Sequence, residues 1–313
     1  MHSMEPLESR RLFSGSPHLA LGAGQLAFDQ VQGNLSAPQT ITLKNTGSGR
    51  LRISSITLDG ADAAQFILGG VNPRRMTLGR GASIKLTLKF RPSIVALSAA
   101  NLQITSNDPA APLTSVPIRG LGLAGFYGTN EPSLQRIFDA LQIPLQAGDS
   151  TPMTRGLDGI GPSDEVAMQT FKKAGPGLVT ISTLAIFSWN TNPVATIGWY
   201  TNAGKIAAHQ LFSVPLGSGQ AFAPPAYGAQ KFDPKTASFG LFGNWPSEAH
   251  TTFSQDALNT WYKLNNQHAV RVYPYKTPNG QVVANAFVVA LEQGADNDYN
   301  DAVLLIQNVT LGA

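Results

Sequence analysis

The chain contains no cysteine. This absence excludes disulfide scaffolds, zinc sites with thiolate ligands, iron–sulfur clusters and thiol nucleophiles. Histidine is scarce too, with five residues, none of which forms an HExxH pair or another closely spaced pair. A GxSxG nucleophile motif is also missing. The commonest metallohydrolase and serine-hydrolase motifs therefore have no counterpart in this sequence.

Charged residues make up only 13% of the chain, about half of the usual share of roughly 25%. Apolar residues reach 42%, which is enough for hydrophobic cores and excludes disorder over the whole length. The length of 313 residues predicts two or three domains at about 100–200 residues each. The 31 glycines and 21 prolines indicate many short strands joined by turns.

Long apolar runs and basic clusters are both absent. No apolar stretch approaches the ~18–20 residues that a membrane-spanning helix needs, so no transmembrane segment is predicted. Residues 1–125 carry a net charge of +6 and residues 126–313 a net charge of −3, but lysine and arginine never occur in runs longer than a pair. Because nucleic-acid binding needs a clustered basic face, the sequence argues against a nucleic-acid partner.

Residues 1–21 are predicted to form a separate N-terminal segment. Its apolar stretch Leu19–Leu21 is too short for the h-region of about 7–15 residues in a secretory signal. A disordered tail is one interpretation. The other is a resemblance: EPLESRRLFSG at 5–15 resembles the N-terminal LEPR-x-LL segment of exported planctomycete-type proteins, with Ser9 in place of the usual proline and Phe13 in place of leucine. That resemblance implies a bacterial protein that is secreted or displayed at the cell surface.

Residues 22–124 show the alternation of apolar and polar side chains that is typical of β-strands. In SIKLTLKF at 83–90, every second side chain from Ile84 to Phe90 is apolar. Turn residues follow at intervals, as in NTGSG at 45–49 and SNDP at 106–109. A two-residue period with turns every 8–14 residues predicts an antiparallel β-sandwich.

Several phrases in this region occur in an order that resembles a known family. They are TITLKNTG at 40–47, ADAAQF at 61–66, LGRGAS at 78–83, FRP at 90–92, SNDP at 106–109 and IRGLG at 118–122. Together they resemble the bacterial choice-of-anchor D domain, an immunoglobulin-like sandwich related to ASH/MSP-type modules. The resemblance implies an extracellular spacer or interaction module without catalysis.

One short α-helix is predicted at the junction that follows. Apolar residues recur at i, i+3, i+4 and i+7 from Leu134 to Leu141, which is the spacing of one helix face. Asn130 is predicted to cap the helix, with Glu131 and Pro132 in its first turn.

Residues 125–313 are predicted to form a second antiparallel β-sandwich, so that the fold class is mainly β. The predicted strands are 178–188, 195–200, 207–213, 238–242, 269–275, 284–292 and 302–309. Aromatic residues recur throughout this region, and most are predicted to lie in the core. The candidates for a platform on which a sugar ring stacks are Trp189, Trp245 and Trp261.

The chemically most distinctive segment is EQGADNDYND at 292–301, between two apolar stretches. Crowded carboxylates repel one another, and holding them in a turn between buried strands costs several kcal/mol unless a cation compensates. Oxygen-only ligands suit Ca²⁺, and the absence of nearby histidine or cysteine disfavours zinc and copper. An exposed acidic turn without an ion is the alternative. The predicted Ca²⁺ ligands are Glu292, Asp296, Asp298, Asn300 and Asp301.

This segment is not an EF-hand loop. Counted from Asp296, positions 1, 3 and 5 carry suitable ligands, but Asp301 stands at position 6, where the EF-hand has glycine. Gln307 occupies position 12, where the EF-hand has a bidentate glutamate. A tight loop between strands, into which Glu292 reaches from the end of the preceding strand, fits the spacing better.

The second half of the chain also resembles a known family. The phrases are GWY at 198–200, FDP at 232–234, FGLF at 239–242, SQDALN at 254–259, HAVRVYP at 268–274, VVALE at 288–292 and DNDYND at 296–301. They resemble the DUF4114-type domain of bacterial exoproteins. The resemblance implies a calcium-braced β-sandwich of adhesins and other surface proteins, in some cases with affinity for carbohydrate. Gln293 stands where the family often has aspartate, so that one ligand is missing or replaced by water.

Two functions are compatible with these observations. The first is a non-catalytic, calcium-binding adhesion or matrix module whose partner is a cell-surface or matrix glycan or protein. The second is a calcium-dependent carbohydrate-binding module, which requires an exposed tryptophan beside the acidic loop. A glycan-active hydrolase would need two facing carboxylates in a cleft, and no feature selects such a pair among Glu165, Asp233, Glu248 and Asp256.

Overall fold

A computed structural model describes residues 15–22, 26–70, 74–148, 162–189, 191–235, 238–260, 267–294 and 296–312. Within these ranges the chain is mainly β, with one α-helix and three short 3-10 turns, which confirms the predicted fold class. None of these helices has the length and hydropathy to cross a bilayer. The LEPR-like stretch up to Ser14 and the candidate Trp261 lie outside the described residues.

The chain divides into two compact units. Among the described residues, the first unit comprises those in the ranges 15–26, 35–91 and 98–118, and the second comprises those in the ranges 27–34, 92–97 and 119–312. The long strand that ends at Leu123 contributes residues to both units.

The strands described up to residue 123 form two sheets. They are β1 (Leu19–Leu21), β2 (Leu26–Val31), β3 (Gln39–Asn45), β4 (Leu51–Asp59), β5 (Phe66–Gly69), β6 (Arg74–Leu78), β7 (Ser83–Phe90), β8 (Leu97–Ser106) and β9 (Leu113–Leu123). One sheet has the order β1-β3-β7-β5 and the other β2-β9-β8-β4-β6. In β7, Leu86, Leu88 and Phe90 are fully buried, as the two-residue period of a strand requires.

The turn after β3 is held by a buried amide. Asn45 is fully buried, and its Oδ1 accepts a hydrogen bond of 3.0 Å from the N–H of Gly47. Its Nδ2 donates to the carbonyls of Gly49 at 2.8 Å and Leu78 at 3.0 Å. The turn predicted at 45–49 is therefore fixed by one side chain that satisfies both of its polar atoms.

The α-helix α1 spans Leu134–Ala140 and begins later than predicted. Its N-cap residue is Ser133 rather than Asn130, so the predicted cap is wrong. Gly128–Asn130 forms a separate 3-10 turn. Glu131, the residue before a proline, is extended (φ −71°, ψ 150°), as the steric clash with the proline ring favours.

The remaining strands belong to the second unit. They are β10 (Phe171–Lys173), β11 (Val179–Phe187), β12 (Ala195–Asn202), β13 (Ile206–Val214), β14 (Gln220–Phe222), β15 (Tyr227–Gly228), β16 (Lys231–Phe232), β17 (Gly240–Trp245), β18 (His250–Phe253), β19 (Val270–Lys276), β20 (Val282–Leu291), β21 (Ala302–Gln307) and β22 (Val309–Leu311). One sheet has the order β14-β11-β21-β20-β19, with β16 also on β11, and another β15-β13-β12-β17-β18. The strands β10 and β22 form a two-stranded pair.

The six-stranded and five-stranded sheets of this unit enclose a shared hydrophobic core. Side chains of β11, β20 and β21 pack there against side chains of β12, β13 and β17. The largest is Trp245, which is fully buried. The indole N–H of Trp245 donates a hydrogen bond of 3.1 Å to Thr252 Oγ1, so its one polar atom is satisfied inside the core.

Helix α1 packs into a second cluster of the same unit. Leu134, Ile137, Phe138 and Ala140 are all fully buried. They pack with side chains from β9, β11, β20 and β21. The apolar stripe that predicted the helix is therefore the face that anchors it.

Candidate metal centre

The acidic segment connects two neighbouring strands of the six-stranded sheet. Strand β20 ends at Leu291, which pairs with Ala302 at the start of β21. Within the connection, Asn297 (φ 61°) and Tyr299 (φ 54°) adopt the left-handed conformation. That conformation is uncommon for a bulky side chain such as tyrosine, and residues of this kind are concentrated at functional sites.

The loop is folded around its own carboxylates. Glu292 Oε1 accepts a hydrogen bond of 2.8 Å from the N–H of Gly294, and its Oε2 accepts one of 3.1 Å from the N–H of Tyr299. Asp301 Oδ2 accepts a hydrogen bond from the N–H of Gln293. Two acids thus fix the backbone at both ends of the loop.

Three of the predicted ligands converge. Carboxylate oxygens of Glu292, Asp296 and Asp298 lie within 4.8 Å of one another. Glu292 is completely buried and Asp298 is 1% exposed. Together these three carboxylates could hold a metal ion, because a cation between them would satisfy oxygens that otherwise face one another.

The pKa values of the loop carboxylates are those of a cluster of negative charges without a neighbouring positive charge in the described part of the chain. Burial, followed by repulsion from Asp296, raises the pKa of Glu292 to about 8. Burial and the charge of Glu292 raise the pKa of Asp298 and of Asp301 well above the usual range. Carboxylates in this situation are either protonated or paired with a cation.

A cavity of about 260 Å³ opens beside the loop, and five carboxylates from three separate segments line it. Asp296, Asp298 and Asp301 come from the loop, Glu131 comes from the segment before α1, and Glu248 comes from the connection between β17 and β18. No lysine, arginine or histidine belongs to the described lining. Burial raises the pKa of Glu131 to about 7, against a hydrogen bond from Gln220 Nε2 that lowers it.

Sequence reasoning missed Glu131 as a site residue. The extended conformation of Glu131 before Pro132 takes it out of the helix, and the side chain lines the cavity instead. Glu131 is more than 160 residues away from the acidic loop in the sequence. No sequence pattern links residues at such a distance. The glutamate–proline step, which disfavours a helical conformation, was the one local indication.

Asn300 lies at the boundary between the loop and the Glu131 segment. Its Nδ2 donates a hydrogen bond of 2.6 Å to Asp298 Oδ2 and one of 2.9 Å to the carbonyl of Pro132. The residue is completely buried, yet its Oδ1 has no hydrogen-bond partner among the described residues. A buried amide oxygen without a partner is unusual and costly.

Gln293 fixes one side of the cavity. Its Oε1 accepts a hydrogen bond from the Ser188 hydroxyl, and its Nε2 donates to Ser247 Oγ. The residue is 2% exposed and lines the cavity. The glutamine that stands where the DUF4114-like motif often has aspartate is thus engaged with two serines.

The three tryptophan candidates differ in position. Trp189 is 52% exposed, lines the acidic cavity and stacks on Tyr127, with ring centroids 4.9 Å apart and an interplanar angle of 9°. Trp245 is fully buried, so its selection as a stacking residue is wrong: its ring fills the core between the sheets. Trp261 lies outside the described residues.

Three of the carboxylates considered for hydrolysis are engaged in ion pairs. Glu165 and Asp256 contact the two ring nitrogens of His268, at 2.7 and 3.1 Å. Asp233 pairs with Lys173 at 2.7 Å. The fourth, Glu248, lines the acidic cavity.

No protein-family model matches the sequence, and no curated protein matches it at a significant level. Solved structures with partial similarity include a protein of unknown function from Porphyromonas gingivalis W83, 25% identical over 34% of this chain and 48% of that chain, with a TM-score of 0.29. The chain thus spans about half the length of that protein.

Two further structures are an ASH/PapD-like domain of human CEP192 and the E. coli chaperone DraB. The first is 14% identical over 40% of this chain and 96% of that chain, with a TM-score of 0.27. The second is 13% identical over 70% of this chain and 98% of that chain, with a TM-score of 0.27. TM-scores at this level carry no argument about function, and both family resemblances stay hypotheses from the sequence motifs.

Proposed function

We propose that the chain is a calcium-binding β-sandwich protein and that the loop at 292–301 holds the ion. The observation that carries this proposal is the convergence of Glu292, Asp296 and Asp298 within 4.8 Å. Burial of Glu292 and Asp298, without a lysine or arginine in the described lining of the cavity, supports a cation as the missing counter-charge.

The donor set favours Ca²⁺ among the divalent cations. All candidate ligand atoms are carboxylate or amide oxygens, which Ca²⁺ binds in sets of six to eight with flexible geometry. Mg²⁺ demands a near-ideal octahedron and retains several waters. An irregular loop that supplies several carboxylates from one side is therefore better suited to calcium.

We propose a non-catalytic role in adhesion or in an extracellular matrix, at the cell surface or in secreted material. The DUF4114-like and choice-of-anchor D-like motifs and the LEPR-like segment support this location. A site with a Kd of about 10⁻⁴–10⁻³ M is filled at extracellular calcium concentrations and empty inside the cell. At a tenfold excess of ligand over Kd, calcium adds about 1.4 kcal/mol to the free energy of unfolding.

Thermal unfolding of the full chain in CaCl₂, MgCl₂ and EDTA tests the proposal. We expect Ca²⁺, and not Mg²⁺, to raise the melting temperature. Asp298→Asn should abolish that rise, because it removes one of the three converging charges. Asp59→Asn, at an exposed acid of the first unit, is the matched control and should keep it. Equal melting temperatures in CaCl₂ and EDTA would overturn the calcium assignment.

A second candidate is calcium-dependent carbohydrate binding, and the position of Trp189 favours it. An exposed indole on the wall of the cation cavity offers a flat apolar face for a sugar ring, while the ion would take sugar hydroxyls as ligands. Stacking on Tyr127 holds the indole in a fixed orientation.

A glycan array probed in CaCl₂ and in EDTA tests this second candidate. Trp189→Ala should lose glycan binding and keep the calcium-dependent rise in melting temperature. Tyr227→Ala removes an aromatic ring that is 68% exposed and does not belong to the described lining of the cavity, so it should keep both. Glycan binding that persists in EDTA or in Trp189→Ala would contradict the candidate.

A further inference from the structure

We propose that the acidic cavity binds a second divalent cation, between Glu131 and Asp301. This inference rests on the proposed calcium site, in which Glu292, Asp296 and Asp298 hold the first ion. It adds a metal site whose defining ligand, Glu131, comes from outside the acidic loop.

The charges in and around the cavity favour more than one ion. The first ion, held by three carboxylates, carries two positive charges and leaves one negative charge in its own shell. Glu131 and Asp301 line the same cavity and add two more negative charges. A second divalent cation neutralises these two, whereas a single ion leaves these five carboxylates with a net charge of −3. The exposed Glu248 adds a further negative charge to the described lining, which contains no basic side chain.

The unpartnered amide oxygen of Asn300 is an independent indication of a ligand at this place. The Asn300 amide is fixed between Asp298 on the loop and Pro132, the residue next to Glu131. Its Oδ1 is fully buried and has no described partner. Amide oxygens are regular Ca²⁺ ligands, so a cation bound next to Asp298 and Pro132, within reach of this oxygen, would satisfy it.

The cavity has room for two ions with their waters. A volume of about 260 Å³ corresponds to about eight or nine water molecules at roughly 30 Å³ each. Two Ca²⁺ ions that share carboxylate bridges need 6–8 oxygens each, of which the protein supplies part and water the rest. Gln220 Nε2 donates a hydrogen bond to Glu131 Oε1 and another of 3.1 Å to the Ser188 carbonyl, which fixes the Glu131 carboxylate at the cavity wall.

Calcium stoichiometry of the full chain tests the inference. The chain is dialysed to equilibrium against CaCl₂, and bound calcium per chain is measured by elemental analysis, with calorimetric titration of the EDTA-treated chain as a second readout. We expect two ions per chain in the wild type and in Asp59→Asn, and one in Glu131→Gln. Glu131→Asp keeps the charge on a shorter side chain and should weaken the second step at least tenfold.

Each outcome distinguishes the second site from the first. One ion per chain in the wild type overturns the second site and leaves the proposed function in place. Two ions in both the wild type and Glu131→Gln overturn the role of Glu131. No bound calcium overturns the proposed function together with this inference. Circular dichroism of each variant in EDTA verifies that the fold is intact, and Glu131→Asp replaces Glu131→Gln if the latter does not fold.

Discussion

The hydroxyl of Tyr299 donates a hydrogen bond of 2.6 Å to the backbone carbonyl of His268. Tyr299 belongs to the acidic loop, and His268 precedes strand β19, so the bond ties the loop to a strand at the far side of β20. The guanidinium of Arg271, on β19, lies 3.9 Å above the centroid of the tyrosine ring. A cation–π contact and a hydrogen bond therefore hold the same ring.

Tyr299→Phe isolates the contribution of this hydrogen bond. We expect the substitution to lower the free energy of unfolding by about 1 kcal/mol, since it removes one buried hydrogen bond and keeps the ring under Arg271. Urea unfolding in EDTA and in CaCl₂ measures the loss. The decrease should be the same in both conditions because the hydroxyl is bound to a carbonyl and not to the cation cavity. An unchanged midpoint would contradict this role.

The pH dependence of stability is predicted to depend on His268. Its Nε2 and Nδ1 lie 2.7 Å from Glu165 and 3.1 Å from Asp256, so both nitrogens donate only when the ring is protonated. Burial by itself lowers the pKa of His268, but the hydrogen bonds and charges of the two carboxylates outweigh it and raise the pKa to about 10. The folded state thus binds the proton more tightly than the unfolded chain, whose ordinary value is 6.5.

The stabilisation by His268 is therefore fully present below pH 6.5 and is lost as the pH rises towards 10. We expect the melting temperature in EDTA to fall across this window. His268→Gln should show a flatter profile between pH 6.5 and 10. His209→Gln, at an exposed histidine, should reproduce the wild-type profile, and identical profiles for all three proteins would refute the assignment.

Gly198 is predicted to tolerate no side chain. It lies at an irregularity of the β12–β13 pairing, where a Cβ would come within 2.4 Å of the His209 carbonyl oxygen and of the Phe242 ring. Gly198→Ala should lower the free energy of unfolding by about 1–3 kcal/mol through overpacking. Gly79→Ala, where a Cβ meets no atom within 4 Å, is the control. Denaturant unfolding of both variants gives the comparison.

Helix α1 is predicted to depend on Phe138. The side chain is fully buried, and its ring meets the Tyr273 ring edge-on with centroids 5.2 Å apart. Phe138→Ala should cost about 3–5 kcal/mol because it creates a cavity in a packed cluster. Leu113→Ala, at a residue that is 61% exposed, should stay within about 0.5 kcal/mol of the wild type. Guanidinium unfolding measures both.

The sequence was informative where the local pattern and the tertiary environment agree. Alternation at 83–90 predicted β7, which spans Ser83–Phe90, and the apolar stripe predicted a helix that spans Leu134–Ala140. The predicted cap Asn130 failed because the glutamate–proline step forms an extended link between a 3-10 turn and the helix. Strand β11 pairs with β21, which is more than a hundred residues away in the sequence. Such strand pairing is determined by tertiary packing, and the local sequence of β11 does not indicate it.

For the site, the acidic motif located the loop but not its surroundings. Convergence of Glu292 with Asp296 and Asp298 agrees with the prediction that the first reaches in from a strand end. The contribution of Glu131 and the difference between Trp189 and Trp245 depend on how distant segments pack. Trp245 lies on a strand and its ring points into the core between two sheets, whereas Trp189 lies just beyond the end of a strand. The local sequence does not distinguish these two positions, and only the burial of the ring in the folded protein does.

The buried indole of Trp245 is also connected to the acidic loop through hydrogen bonds. The indole N–H is hydrogen bonded to Thr252 Oγ1, whose hydroxyl donates a bond of 2.8 Å to the carbonyl of Glu292. A water-shielded fluorophore is thus two hydrogen bonds away from the first residue of the loop. We expect a displacement of Glu292 that breaks these hydrogen bonds to change the polarity around the indole, so that the fluorescence of Trp245 reports on the acidic loop.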